Sequence, residues 1–400
     1  MTITLIVRRS LRQHAFSTAI TALSIALAGG LLMSVWVVKD QSQRTFTQVN
    51  TGFDAVLGAR GSKLQLVLNS IFHLEASPGN LAASDYEYIR RHPAVKKAIP
   101  IAVGDNLRGY RIVGTIPELF TDVEYAPGRH FALSAGRLFD PAAREAVIGS
   151  FAARRLGLGV GDTFHPFHGL VYDAANQHPE TYVVTGVLAP SNTPADKVVW
   201  IPLHGLQTMT GHDPRAATDV SAVLIQLRSP SAGFMLDIMY NKQGNRLTFA
   251  YPIGAIMAEL FQKIGWFDKV LALVAYLVAL VSAAGVLVAI YNSMASRRRD
   301  IAILRALGAG RIFLSGAIVL EAAVIGAIGM ALAFAAYAAI VTAVAAVIQA
   351  QTGVLIEAFA YNPVMVWAPL GMIALCAASG LLPAMKAYRT DVAENLAPIS

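Results

Sequence analysis

Residues 270–311 read VLALVAYLVALVSAAGVLVAIY followed by NSMASRRRDIAILRALGAGR. The first 22 of them, Val270–Tyr291, carry no charge, and the next 20 hold five arginines and a single acid, Asp300. A helix rising 1.5 Å per residue needs about 20 apolar residues to cross ~30 Å of hydrocarbon. The first segment is therefore expected to span a membrane and the second to be a short basic loop on one side of it.

The same pattern recurs on both sides. Upstream, Phe16–Val38 is 23 residues without a charge, preceded by Arg8, Arg9 and Arg12. A signal-peptide core is only about 7–15 residues long, so this run is expected to be an uncleaved span. Downstream of Arg311 the chain is uncharged as far as Lys386 except for Glu321 and Glu357. That length holds two spans, placed at 312–348 and 364–382. Between them lies a polar connector, 349–363, containing Gln349, Gln351 and Glu357 and ending in the helix-start pair Asn362-Pro363. Clustering of this kind accounts for a chain of 400 residues that is 55% hydrophobic and only 14% charged, with a mean hydropathy of +0.52; ordinary soluble chains are about one quarter charged. Disorder is excluded by the same figures, and a disulfide scaffold by the single cysteine, Cys376.

Orientation follows from lysine and arginine in the short segments. Residues 1–15, 292–311 and 383–400 together hold ten basic residues against Asp300, Asp391 and Glu394, whereas the block 39–269 has 22 basic and 20 acidic residues. The net charge of +7 thus lies on one side of the membrane, expected to be the cytoplasm. Both termini are inside, the large block is outside, and the basic excess marks topology rather than a nucleic-acid partner. The fold class read here is a multi-pass α-helical membrane protein with four transmembrane helices in a 1+3 arrangement. A large α/β extracytoplasmic domain lies between the first and second spans. The segments are 1–15 (amphipathic N-terminal helix), 16–38 (span), 39–269 (outer domain), 270–291 (span), 292–311 (cytoplasmic loop), 312–348 (span), 349–363 (outer connector), 364–382 (span) and 383–400 (tail).

Within the outer domain, helical patterns occur at 63–72 and 85–91, and a short helix at 151–158. Strands are expected at 96–103, 109–114, 146–148, 182–188, 198–201 and 221–227, punctuated by Gly157, Gly159, Gly161-Asp162 and Pro190. At its edges 39–50 and 255–268 read as helices continuous with the adjoining spans.

Chemistry is sparse in the pattern. Eight of nine histidines fall in this domain, among them His165-Pro-Phe-His168. Zinc needs three or four converging ligands, and no third ligand stands at a telling spacing, so these two are read as turn or surface histidines and no metal ligand is assigned. There is no G-x-S-x-G elbow, no H-E-x-x-H and no phosphate-binding G-x-x-x-x-G-K-[ST] loop. No catalytic or cofactor-binding residue is assigned either; any ATP would have to be hydrolysed by a partner. Glu321 lies nine residues past Ile312, roughly 14 Å along a helix. A carboxylate there is expensive and must face a partner or water; it reads as a polar contact between helices, or as an ion-coupling acid. Ala322, Gly326 and Gly329 beside it would let helices approach closely.

The 292–311 loop carries the sharpest pattern. Ile301, Ile303, Leu304 and Leu307 share a face about 160° wide at 100° per residue. Arg298 and Arg305 lie opposite, and Gly308 is a natural C-terminal stop. Such a helix either anchors at anionic lipid or docks in a partner's groove. The N-terminal stripe Ile3, Ile6, Val7, Leu11, opposed by Arg8, Arg9 and Arg12, reads as the plain anchor.

The segment Arg298-Arg-Asp-Ile-Ala-Ile-Leu-Arg-Ala-Leu-Gly-Ala309, followed by a span bearing Glu321, resembles the permease subunits of FtsX/MacB-type ABC transporters, the mechanotransmission class that includes lipoprotein-releasing systems. The tail Pro383-Ala-Met-Lys-Ala-Tyr-Arg-Thr-Asp-Val-Ala-Glu-Asn-Leu396 is similar to the family's terminal signature, with Asp391-Val where Asp-Pro is usual. Glu145-Ala-Val-Ile-Gly149, Ala153–Thr163 and Tyr182-Val-Val-Thr-Gly-Val-Leu188 are similar to its MacB-like periplasmic core, and 270–390 to its FtsX-like permease domain. This chain departs from fused members in carrying no nucleotide-binding domain.

The resemblance implies a bacterial inner-membrane permease that pairs with a second permease protomer and with two copies of a separate ABC ATPase. ATP and Mg would be bound by the ATPase and not by this chain. Arg298, Arg299, Asp300, Ile301, Leu304, Arg305, Leu307 and Gly308 would form the coupling helix seated on it. Membrane lipid is a further expected partner, with room for a periplasmic substrate-binding or accessory protein. The substrate class implied is a lipoprotein, peptide or lipid-like molecule. The competing reading is an FtsX-like signalling permease that regulates a cell-wall hydrolase without transport.

Overall fold

The computed structural model describes residues 3–48, 52–214, 217–296, 303, 308–355, 357 and 359–389. The chain forms two compact units, one made of Met1–Gln41, Ile264–Ala345 and Glu357–Ser400, the other of Ser42–Lys263 and Ala346–Ile356.

The helical unit begins with a short helix, Ile3–Gln13, and is built from the long helices Ala15–Gln48, Ile253–Ser296 and Arg311–Thr352. It ends with Val364–Ser379, which is followed after Gly380 by Leu381–Arg389. Among the described residues, four stretches are long and apolar enough to cross a membrane: Ala15–Arg44, Ile253–Asn292, Arg311–Thr352 and Val364–Met385. Ala15–Gln48 and Ile253–Ser296 are each one uninterrupted helix; of the edge helices expected at 39–50 and 255–268, residues 49 and 50 lie outside the described residues. Lipid tails give apolar helices no hydrophobic reason to associate, so close packing of small residues must do it. A Cβ on Gly329 would lie 2.6 Å from the Ile25 side chain and 3.0 Å from the Ala22 carbonyl oxygen. One on Gly326 would lie 3.0 Å from Cys376 Cβ, and Ala322 is fully buried.

The second unit is a mixed α/β domain. Its strands are β1 (Ala55–Ala59), β2 (Val95–Leu107), β3 (Tyr110–Thr115), β4 (Glu124–Ala126), β5 (Arg129–His130), β6 (Leu133–Gly136) and β7 (Glu145–Ile148). They continue with β8 (Thr163–Phe164), β9 (Phe167–His168), β10 (Tyr182–Leu188), β11 (Val199–Pro202), β12 (Ala222–Leu227) and β13 (Leu247–Ala250). Nine run side by side in the order β13-β1-β12-β2-β3-β11-β7-β10-β6; β8 joins at β10, β9 at β2, and β4 pairs with β5 apart from the sheet. The β3–β11 and β7–β10 pairs are parallel and the remaining ladders antiparallel.

Strands β1, β12 and β13 are nearly continuous apolar runs because both faces of the sheet are covered. Alternate residues divide between two cores: Val56, Leu224 and Ala250 pack with Ile99, Ile101 and Trp200, while Leu57, Val223 and Phe249 pack with Ile89 and Leu236. A third core, around Ile112, Ile148, Val184, Val199 and Leu206, fills the other end of the sheet. Helix Ser150–Leu156 stops at Gly157, whose φ of +68° is the left-handed C-terminal cap that glycine adopts without strain. Strands β1, β4, β5, β6, β8, β9 and β13 add to those read from the sequence, and β2 runs to Leu107 through a register shift between Val103 and Asp105.

Candidate functional site

The β2 irregularity aims one side chain inward. A bulge inserts an extra residue and turns the side chains beyond it to new directions, and here Asp105 emerges fully buried. Directly across the ladder from it stands His168 on β9. Asn106, also fully buried, holds β9 and the turn after it in place: its Nδ2 donates to the carbonyl oxygens of Phe167, Gly169 and Val171. Two loops complete the group. One carries His178, whose backbone N–H donates to the Pro166 carbonyl at 2.9 Å, and the other carries His212, whose N–H donates to Met209 O at 3.2 Å.

The three imidazoles surround the one carboxylate. His168 Nδ1 and His178 Nε2 each lie 3.3 Å from Asp105 Oδ1, and His212 Nε2 lies 3.2 Å from each carboxylate oxygen. The ring centroids form a triangle with sides of 5.2 to 5.4 Å. One ligand atom from each of the four residues lies within 4.8 Å of every other. Exposure is graded: the Asp105 side chain shows 0%, His178 6%, His212 16% and His168 55%. The group is thus anchored in the core and open to solvent along one edge.

An outer layer fixes the rings. His178 Nδ1 lies 2.7 Å from the Thr210 carbonyl oxygen, an acceptor only, so Nδ1 carries the proton. Thr210 in turn donates its N–H and its hydroxyl to Glu180 Oε1, at 2.9 and 2.6 Å. Burial pushes the Glu180 carboxyl up, but the hydrogen bonds from Thr210 outweigh it and hold the group below the usual range. The hydrogen bond with Asp105 raises His212 despite its burial. Burial pushes the nearby Tyr182 phenol up to about 12.

Sequence reasoning assigned no metal ligands and passed over Asp105, His178 and His212. It singled out His165 and His168 as a pair, and the structure separates them. His165 Nδ1 donates to Glu180 O at 3.1 Å, whereas His168 faces Asp105. The four residues are spread over 108 positions of chain, from 105 to 212, and no short spacing joins them. The weak available signal was that His178 and His212 both sit in proline-bearing loops, His178-Pro179 and His212-Asp-Pro214.

Of the other expected site residues, Arg298, Arg299, Asp300, Ile301, Leu304, Arg305 and Leu307 lie outside the described residues. Gly308 is described, and its φ of +97° is a left-handed backbone conformation. Glu321 Oε1 accepts a hydrogen bond from the Ser10 hydroxyl. Helix Ile3–Gln13, read as a plain lipid anchor, therefore packs through a polar contact as well, with Val7 and Ser10 buried. Ser10 falls on the apolar side of that helix, between Val7 and Leu11, where only a partner such as Glu321 makes a hydroxyl tolerable. Ala322, Gly326 and Gly329 lie on the same helix as Glu321, the two glycines against Cys376 and Ile25 respectively.

Four span-length helices and a large α/β domain inserted after the first define a multi-pass membrane protein of the 1+3 class. The model of the MacB-like periplasmic core domain matches residues 18–233, and that of the FtsX-like permease C-terminal matches 272–392. The chain belongs to the FtsX/MacB-type family of ABC transporter permeases. No match is found among curated proteins. Among solved structures, the extracellular domain of the noncanonic ABC-type transporter YknZ from Gram-positive bacteria is 17% identical with a TM-score of 0.31, covering 48% of this chain and 97% of that one. The periplasmic region of MacB from Actinobacillus actinomycetemcomitans is 12% identical with a TM-score of 0.35, covering 54% and 94%.

Proposed function

We propose that this chain is the membrane subunit of an ABC transporter in which a separate ATPase drives movement of the periplasmic domain. The chain would act by mechanotransmission on a periplasmic or membrane-associated substrate: a lipoprotein, a peptide or a lipid-like molecule. The observation that carries the reading is the tandem of two family matches on one chain, the MacB-like core at 18–233 and the FtsX-like permease at 272–392. Ten basic residues against three acids in the short segments support a topology with both termini in the cytoplasm. The amphipathic pattern of 297–309 supports a coupling helix on that same side, where an ATPase has access to it. In the working complex two permease protomers would bind two ATPase copies, and all nucleotide chemistry would reside in the partner.

The test is to identify what copurifies when the ATPase partner carries a mutation that blocks hydrolysis. A trapped lipoprotein, peptide or lipid supports the transport reading. A cell-wall hydrolase in its place would overturn transport in favour of signalling.

A further inference from the structure

We propose that Asp105, His168, His178 and His212 bind one transition-metal ion of the Zn2+ class, which fastens together four separate segments of the periplasmic domain. The contact between His178 and Asp105 lacks a donor. His178 donates its Nδ1 proton to Thr210 O, so in the neutral ring Nε2 presents a lone pair. That lone pair faces a carboxylate oxygen 3.3 Å away, and two acceptors do not bond each other without a cation between them. Oδ2 of Asp105 is buried and accepts no hydrogen bond. Among the described residues the ion-pair partners of Asp105 are the three histidines. A fully buried carboxylate with no lysine or arginine beside it is costly unless a positive charge is supplied.

The donor set and its dimensions suit a borderline ion. Zinc takes four ligands at about 2.0–2.1 Å in a tetrahedron, whose edges are then about 3.3 Å. Three of the six edges, from Asp105 Oδ1 to the imidazole nitrogens, are 3.2 to 3.3 Å, and all six are within 4.8 Å, so the rings need only close slightly on an ion. Three imidazoles with one carboxylate favour Zn2+ over the hard cations Ca2+ and Mg2+, which take oxygen ligands. The outer layer has the form usual for metal-binding histidines, where the ring nitrogen away from the ion is held by a carbonyl or carboxylate. Here Thr210 O holds His178, and Glu180 holds Thr210. With four protein ligands the ion would be structural, binding β2 to β9 and both to the loops before β10 and after residue 207. It would do for this cysteine-free outer domain what a disulfide does elsewhere.

The experiment uses the full-length chain in detergent with an affinity tag that contains no histidine. The chain is stripped with EDTA, dialysed and titrated with ZnCl2, and bound metal is counted by mass spectrometry alongside the thermal midpoint. Wild type should take up one Zn2+ per chain and gain several degrees, and CaCl2 should do neither. Asp105→Asn and His168→Ala should each weaken uptake at least tenfold. Because His168 is half exposed, its alanine variant keeps the fold if Asp105→Asn does not. His130→Ala, on the separate β4–β5 hairpin, should bind as wild type. The proposal is overturned if wild type takes up no Zn2+, or if His168→Ala binds as tightly as wild type.

Discussion

His73 should make the α/β domain sensitive to acid well before its carboxylates titrate. His73 is partly buried, its ring edge-on to Trp200 at a centroid distance of 5.7 Å, and its Nδ1, which is itself buried, has no hydrogen-bond partner. Desolvation, reinforced by the charge of Arg111, lowers its pKa from 6.5 to about 3. The group therefore stays neutral in the folded chain while an unfolded chain takes up a proton below 6.5. A depressed histidine costs stability as pH falls, beginning near 6.5 and ending near 3, and each pH unit within that window is worth about 1.4 kcal/mol. Between pH 7 and pH 5 the loss comes to about 2 kcal/mol from this one residue. The comparison that isolates His73 is wild type against His73→Phe. Urea melts at pH 7 and 5 would be read by Trp200 fluorescence in a chain with Trp36, Trp266 and Trp367 replaced by Phe. His73 has a φ of +55°, so phenylalanine lowers absolute stability, and the pH-dependent difference is the readout. The wild-type stability should fall by about 2 kcal/mol more than that of the variant. Parallel losses in the two chains would refute the assignment of a neutral ring.

Gly329→Ala should destabilise the helical unit by about 1–3 kcal/mol through overpacking against Ile25. Gly316→Ala, on the same helix with nothing within 4 Å of the new methyl, should leave the thermal midpoint in detergent unchanged. Glu321→Gln keeps an acceptor for the Ser10 hydroxyl and should retain ATPase stimulation at every pH tested, whereas Glu321→Leu should lose it; a pH dependence altered by the glutamine would point to ion coupling instead. Reversing charge at Arg298 and Arg305 should leave membrane insertion intact and lower recovery of the ATPase in pull-downs severalfold. Recovery at the wild-type level would remove the docking role.

The membrane half of this protein is legible in the sequence because its physics is one-dimensional: a run of 22 uncharged residues in 270–291 has few fates other than a span. The central strands were legible for a related reason, since β12 is buried on both faces and β10 along most of its length, so that both are largely apolar. Strands β8 and β9 are two residues long, below the length at which alternation can be recognised, and β1 breaks its apolar run with Gly58. The cluster around Asp105 was hidden by the same limit. Its members meet because a bulge in β2, a two-residue strand and two loops converge, and none of these has a periodic signature. His165 and His168 drew notice through proximity in sequence, yet the partners of His168 lie 63 residues before it and 10 and 44 after it. The Ser10–Glu321 contact shows the limit from another direction: the acid demanded a partner, and the sequence did not say which helix supplied it.

The proposed function requires the permease to work through a separate motor. Native mass spectrometry of the full-length chain, purified from its own membranes with and without ATP under hydrolysis-blocked conditions, measures this directly. The expected species holds two permease protomers and two ATPase subunits and is more abundant when ATP is bound. A chain that purifies without any ATPase in either condition would contradict the assignment.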